Sequence, residues 1–262
     1  MFEFCTIKKT TRGDNMTQTT QTLENPFDST KVMKRDFFLF PLSFFLLFGA
    51  AILLQLVLGL YYGATNREVP MIKYEEFGGI AQDVSSIGLL FIFYLMHRRY
   101  LVPIAKERVK TAFKQWYLII GGGIIVFTLN IGIGYLMEHV LHIDNTQNQA
   151  MIEAMFEHQW LWPFLFISIV IIAPIVEELL YRHVIIHELS KKIGNIPATL
   201  LSIILFAGIH IMYATSIYEA LPYVIMGTVF SVVYLMSGKN LAVAILLHAF
   251  NNAIGFILIF FK

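Results

Sequence analysis

Cysteine and charged residues are scarce in this sequence, and their scarcity narrows the class of protein. A single cysteine, Cys5, among 262 residues means that no disulfide can form within the chain. Charged residues make up 14% of the chain, against about 25% in an average soluble domain, and apolar residues make up 57%. No basic block is present and the net charge is only +1, so nothing indicates a nucleic-acid partner. The composition predicts an integral membrane protein.

Seven apolar segments have the length that a helix needs to cross about 30 Å of hydrocarbon. We place them at about residues 37–62, 78–96, 116–137, 161–182, 197–213, 222–236 and 241–261. The sequence therefore predicts an all-α polytopic domain over residues 37–262, with about seven transmembrane helices embedded in the lipid bilayer. The polar residues 1–36 are predicted to be a disordered cytoplasmic tail.

Lysine and arginine are absent from residues 138–160, which connect the third and fourth apolar segments. If the N-terminus is cytoplasmic, only Arg67, Lys73 and Lys262 of the 19 Lys and Arg residues lie on the opposite side of the membrane. This asymmetry predicts a cytoplasmic N-terminus. The basic residues 97–115 form either a helix at the lipid interface or a simple topology-setting loop on the cytoplasmic side.

Two further stretches have structural rather than catalytic interpretations. Gly121, Gly122 and Gly123 follow no strand and lack the spacing of a phosphate-binding loop, so they favour close packing between helices. Residues 145–155 are polar and then amphipathic, and could cover the outer face of the membrane domain.

Two adjacent carboxylates and an arginine interrupt the fourth apolar segment. Glu178 and Arg182 are four residues apart, so they share one face of a helix and can pair. Glu177 points away from that face and has no local partner, which suits it to act as a general base. Because a charge inside the bilayer costs at least about 2.5 kcal/mol, such residues are usually functional. The alternative is a helix end that carries ordinary interfacial charges.

Later apolar segments contain two polar pairs with the same spacing, Phe206 with His210 and His248 with Asn252. At about 1.5 Å per residue, His248 lies roughly 10 Å, His210 roughly 20 Å and Glu177 roughly 8–14 Å from the cytoplasmic end of its segment. Asparagine and neutral histidine can both donate to an oxyanion. We therefore predict that three segments bring these residues to one site in the cytoplasmic half of the membrane.

Standard zinc-protease motifs are absent from the sequence. His183, His187 and Glu188 follow the order H-x-x-x-H-E, which is neither H-E-x-x-H nor H-x-x-E-H. We interpret this stretch as the exit of the fourth helix into a wet inner loop. A hard ligand set that could still hold a divalent metal such as Zn²⁺ consists of Glu177, Glu178, His210 and His248.

The three polar motifs together resemble those of the CPBP intramembrane proteases, which include CaaX prenyl endopeptidases and bacteriocin-processing and immunity proteins. They read Glu177-Glu178-x-x-x-Arg182, Phe206-x-x-x-His210 and His248-x-x-x-Asn252, and lie within a core at about residues 160–256. The resemblance implies a glutamate endopeptidase that needs no cofactor and acts in a bacterial cell membrane.

The same resemblance implies a role for each matched residue. Glu177, assisted by His210, would activate water, while His248 and Asn252 would form the oxyanion hole. Glu178 with Arg182 would hold the helix end and orient Glu177, and Phe206 would pack beneath His210.

Three functions remain open at this point. The first is cleavage of a membrane-associated peptide or protein. The second is a non-catalytic bacteriocin-immunity or scaffold protein that uses the same cavity to bind a partner. The third is a transporter or proton relay, because buried Glu and His residues also mark ion paths. The absence of repeated halves counts against the third.

Overall fold

The computed structural model describes residues 25–261, and within that part of the chain every regular element is helical. We number the helices α1 Leu39–Ala64, α2 Met71–His97, α3 Leu101–Lys114, α4 Trp116–His139, α5 Gln147–Phe156, α6 Gln159–Ile193, α7 Asn195–His210, α8 Leu221–Met236 and α9 Leu241–Phe260. The predicted all-α fold is confirmed.

Six of these helices are long and apolar enough to cross a membrane, namely α1, α2, α4, α6, α8 with the 3₁₀ turn Ile217–Ala220 before it, and α9. The remaining predicted segment, the fifth at residues 197–213, is α7, whose 16 residues extend about 24 Å at 1.5 Å per residue. It is therefore shorter than a full crossing. The basic residues between α2 and α4 form the helix α3, so of the two alternatives for this stretch the helix is present and the simple loop is not.

The glycine run in α4 lets this helix approach α8 and α9 closely. A β-carbon added to Gly123 would lie 2.6 Å from Cε1 of Phe250, and one added to Gly122 would lie 2.9 Å from Cδ2 of Leu247. Carbon atoms pack best at about 3.5–4.0 Å, so only glycine fits these two positions without a shift. Nothing lies within 4 Å of the equivalent point on Gly121. The predicted packing role is thus confirmed for Gly122 and Gly123.

Substitution of Gly123 by alanine is expected to destabilise the protein by about 1–3 kcal/mol, because the new methyl group overpacks the contact with Phe250. Gly121→Ala is the matched control in the same helix, and it should be neutral or stabilising, since alanine favours a helix by up to about 1 kcal/mol over glycine. Thermal unfolding of the two variants in detergent measures the difference. Equal effects at both positions would contradict this packing argument.

Helix α6 contains two wide π-helical stretches, Ile167–Ile172 and Leu179–Leu189, on either side of the α-helical residues Ala173–Glu178. The backbone N–H of Ala173 donates to the carbonyl of Ser168, five residues earlier. The next residue, Pro174, has no N–H. The carbonyl of Ile169 therefore receives a hydrogen bond neither from the N–H four residues later, as in an α-helix, nor from the N–H five residues later, as in a π-helix. Such bulges often occur at functional sites.

The interpretation of residues 183–188 as a wet inner loop is wrong, because α6 continues to Ile193. Glu188 has no exposed surface and His183 is only 5% exposed. The carboxylate of Glu188 is satisfied by two donors, the backbone N–H of Met33 at 2.7 Å and Nζ of Lys191 at 2.6 Å. Since these polar groups have protein partners, the helix can continue without water around them.

The prediction of a disordered tail is wrong for residues 25–36, while residues 1–24 lie outside the described part of the chain. Phe27 is buried in the core. Asp36 is fully buried, and its carboxylate contacts Nε2 of His97 at 3.0 Å and Nε2 of His183 at 2.8 Å. The packed domain therefore includes residues 25–36, which join α2 to α6 at the end of the molecule that carries Lys191, Lys192 and Lys239, called the basic end below.

Candidate active site

Residues of α2 and of α4 to α9 line a cavity of about 740 Å³, and Glu177, His210 and His248 are among them. Its walls are rich in uncharged polar side chains. These are Gln82, Asn130, Asn145, Thr146, Asn148, Gln149, Ser168, Asn251 and Asn252. The predicted meeting of residues from three separate segments at one cavity is present in the structure.

Glu177 occupies the short α-helical part of α6 between the two π-helical stretches. Its Oε2 atom lies 3.8 Å from Nε2 of His210 and 3.8 Å from Nε2 of His248. These distances are too long for direct hydrogen bonds, but one water molecule could contact all three atoms. Oε2 is buried and has no hydrogen-bond partner among the described residues. Buried polar atoms in this condition are uncommon and call for a functional explanation.

The ring of His210, the last residue of α7, is fixed by its own helix and by α8. Its Nδ1 donates to the carbonyl of Phe206 at 2.7 Å, and its ring stacks on Tyr223 with the centroids 4.6 Å apart. Because a carbonyl can only accept, Nδ1 carries the proton. In the neutral ring, Nε2 therefore has a free lone pair on the side of Glu177. The predicted packing of Phe206 against His210 is present, with ring centroids 4.7 Å apart.

His248 is held by Glu178, a contact that the sequence interpretation did not include. Nδ1 of His248 lies 2.9 Å from Oε1 of Glu178, and the histidine is 3% exposed. The ring also packs against Phe230, with the centroids 4.7 Å apart. A carboxylate on Nδ1 fixes the tautomer and the orientation of an imidazole. Glu178 therefore directs Nε2 of His248 toward Glu177.

Arg182 and Glu178 form the predicted ion pair within α6. Nε of Arg182 is 3.0 Å from Oε2 of Glu178, and both side chains have no exposed surface. The guanidinium carbon lies 5.0 Å from the ring centroid of Phe206 and 5.7 Å from that of Phe230. A cation over aromatic faces is attracted by the ring quadrupoles. The aromatic residues that contact His210 and His248 thus also surround the buried cation.

Asn252 lies one turn beyond His248 on α9 and lines the cavity. Its Nδ2 donates at 2.9 Å to the carbonyl of Ile169, which is the carbonyl that lacks a helical donor in α6. Its Oδ1 accepts from Nδ2 of Asn251 at 3.3 Å. An amide nitrogen has two protons, so the contact with Ile169 fixes the side chain and leaves one proton for another acceptor.

The four-residue ligand set considered for a metal does not converge on one point. Glu178 faces Nδ1 of His248, whereas Glu177 faces Nε2 on the opposite side of the same ring. The two carboxylates therefore cannot bind one ion together with His248. Over residues 25–261, no group of three or more His, Cys, Asp or Glu side chains is arranged to hold a metal.

Sequence reasoning missed the residues that organise the outer end of the cavity. The hydroxyl of Tyr223 contacts Oγ1 of Thr146 at 3.1 Å and Nδ2 of Asn148 at 3.2 Å. The buried carboxylate of Glu219 accepts from the backbone N–H groups of Gln147 and Thr215 at 2.7 and 2.8 Å. The sequence could have indicated the role of Glu219, because Ser216-x-x-Glu219 has the spacing of a capping box, which the structure contains. These contacts attach α5 and the segment before it to α8.

Comparison with known proteins agrees with the resemblance found in the sequence. Residues 159–254 match the family model described as Type II CAAX prenyl endopeptidase Rce1-like. An uncharacterized protein of Mycoplasma capricolum subsp. capricolum is 29% identical over 243 residues, which cover 84% of this chain and 69% of that protein. No solved structure matches the chain. The predicted resemblance to this family is therefore confirmed over residues 159–254, a segment that contains all seven residues of the three motifs.

Proposed function

We propose that this membrane protein is a glutamate endopeptidase, because residues 159–254 match the family model of the Type II CAAX prenyl endopeptidases. It hydrolyses a peptide bond in a membrane-associated peptide or protein. Glu177 and His210 activate the water, and His248 and Asn252 stabilise the oxyanion. The reaction needs no cofactor. The protein resides in a bacterial cell membrane.

One observation carries this proposal. Oε2 of Glu177 is buried, has no partner among the described residues, and lies at the same 3.8 Å from two imidazole Nε2 atoms. A water molecule at that point would touch a carboxylate and two histidines at the end of a cavity. Placing a base beside water in a partly dry site is the arrangement that amide hydrolysis requires.

In the proposed reaction, Glu177 and His210 transfer protons, while His248 and Asn252 bind the oxyanion. Glu177 takes one proton from water while the oxygen bonds to the peptide carbonyl carbon and the carbonyl electron pair moves to oxygen. That oxyanion accepts hydrogen bonds from Nε2 of protonated His248 and from Nδ2 of Asn252. When the C–N bond breaks, the electron pair goes to nitrogen, and the proton held by Glu177 is delivered to the leaving amine, directly or through His210.

Counting charges supports a proton on His248. Glu177, Glu178 and Arg182 together carry one net negative charge, and His248 contacts Glu178 directly while facing Glu177. An imidazolium at this position balances the group, which matters because buried charges need partners. His248 then has N–H donors on both ring nitrogens.

Along α9, the proposed site is nearer the basic end of the molecule. His248 is seven residues from Leu241 at the start of α9, or about 10 Å along the helix axis at 1.5 Å per residue. It is twelve residues from Phe260 at the other end, or about 18 Å. With the basic end in the cytoplasm, the reacting atoms lie in the cytoplasmic half of the bilayer.

The test is a comparison of membrane peptidomes from cells that carry the wild-type protein or the variant His210→Gln. Glutamine keeps the size and polarity of the side chain but cannot shuttle a proton, so fragments produced by the wild type should be missing from the variant. Adding a chelator to the wild-type membranes should leave the fragments unchanged. Identical peptidomes together with an intact cellular phenotype would instead favour the immunity or scaffold function.

A further inference from the structure

We infer that the cavity is entered from the non-cytoplasmic side of the membrane, so the substrate is a peptide segment presented from that side. The statement that the occupant is a substrate rests on the proposed function. The direction of entry follows from the shape of the cavity and from the distribution of charge.

The cavity extends from Glu177 toward one end of the helical bundle. The residues of α6 that line it, such as Ser168 and Ala173, come before Glu177, and those of α9 run from His248 out to Ile259. The start of α6 and the end of α9 lie on the same side of the molecule, since Trp162 of α6 packs against Phe260 of α9. Residues of α5 complete the lining there.

In the other direction from Glu177, buried side chains close the cavity. Arg182 and Glu188 follow it on α6 and have no exposed surface. Beyond them, Asp36 binds His183, and the backbone of Met33 binds Glu188. Residues 25–36 therefore cover the end of the bundle that lies opposite the cavity opening.

The covered end is the basic one. Lys191, Lys192 and Lys239 lie there with Arg108 of α3, whose guanidinium pairs with Asp28 at 2.8 Å. Residues 138–160, which include α5 at the open end, contain no lysine or arginine. Since basic residues flank membrane helices on the cytoplasmic side, the covered end faces the cytoplasm and the cavity faces away from it.

The walls of the cavity suit a peptide backbone. Among apolar side chains, they present several amide and hydroxyl groups, which can pair with peptide N–H and C=O groups. Asn130 on α4 lines the cavity, and its Oδ1 is buried without a hydrogen-bond partner among the described residues. Because an unsatisfied buried acceptor costs free energy, it is available to a backbone N–H of a bound peptide.

Thiol accessibility tests the direction of entry. In a Cys5→Ser background, which removes the natural cysteine, one new cysteine is placed at a time. Asp144→Cys reports the exposed segment before α5, Met226→Cys reports the cavity wall, and Lys192→Cys is the control on the basic end. A membrane-impermeant trimethylammonium methanethiosulfonate is applied to intact cells and, separately, to inverted membrane vesicles.

We expect the reagent to modify Asp144→Cys and Met226→Cys in intact cells, and Lys192→Cys in inverted vesicles only. Modification of Met226→Cys from the same side as Lys192→Cys, or from neither side, would overturn the inference. So would modification of Lys192→Cys in intact cells. The readout needs no turnover, so a failure to find cleavage would count against the proposed function and leave this result standing.

Discussion

Replacing Glu177 with glutamine is expected to slow peptide-bond cleavage by about 10²–10⁴-fold, the range that general acid–base groups contribute. Glutamine has nearly the same size and can occupy the same position beside His210 and His248. It cannot accept a proton from water, so the loss should appear in kcat. The measurement is kcat and KM for purified protein in lipid nanodiscs, with a fluorogenic peptide built from a fragment found in the peptidome comparison.

The matched control is Glu157→Gln, which removes an exposed carboxylate near the start of α6. It should leave kcat unchanged. Thermal unfolding of both variants should resemble that of the wild type, because Glu177 Oε2 accepts no hydrogen bond from the described residues and glutamine has nearly the same size. A Glu177→Gln protein that turns over at the rate of the control would exclude the glutamate mechanism.

Loss of the buried guanidinium is expected to have the largest effect on stability. Arg182→Leu removes the partner of Glu178 in a place without solvent exposure. Breaking a buried pair typically costs about 3–5 kcal/mol, because the remaining charge is left uncompensated. Activity should also fall, since Glu178 holds His248 in position. Unfolding in detergent, followed by tryptophan fluorescence, measures the change in stability.

Two further variants distinguish the effect of the unpaired Glu178 charge from the effect of lost packing around Arg182. Glu178→Gln combined with Arg182→Leu should destabilise by less than the sum of the single changes, because no charge then remains unpaired. Arg67→Leu, at an exposed position between α1 and α2, should change stability by less than about 0.5 kcal/mol. A purely additive double variant would show that the ion pair is not the source of the effect.

The helices and the catalytic candidates were predictable because both depend on local spacing. Long apolar runs specify the spanning helices, and a four-residue separation places Phe206 with His210 and His248 with Asn252 on common faces. The meeting of these faces around Glu177 was predicted from depth along the helices, which needs only the rise per residue.

The remaining features depend on partners that are far apart in the chain. Glu178 and His248 are separated by 70 residues, and Asp36 and His183 by 147. No periodicity in one segment reveals such a partner, so Glu178 was assigned to Arg182 alone and residues 25–36 were assigned to a tail. The short polar stretch around Phe27 carries too few apolar residues to predict its burial.

The hydrogen bond between Asn252 and the carbonyl of Ile169 cannot form until α9 has been synthesised, which happens after α6 has left the ribosome. Helix α6 enters the membrane with its carboxylates, an arginine and a carbonyl without a helical donor, and polar groups of this kind are unfavourable in hydrocarbon. Two of their partners, His248 and Asn252, are on α9, which is synthesised well after α6. An incomplete chain therefore has Glu177 but not the oxyanion donors, and the protein gains its proposed activity only after α9 has inserted.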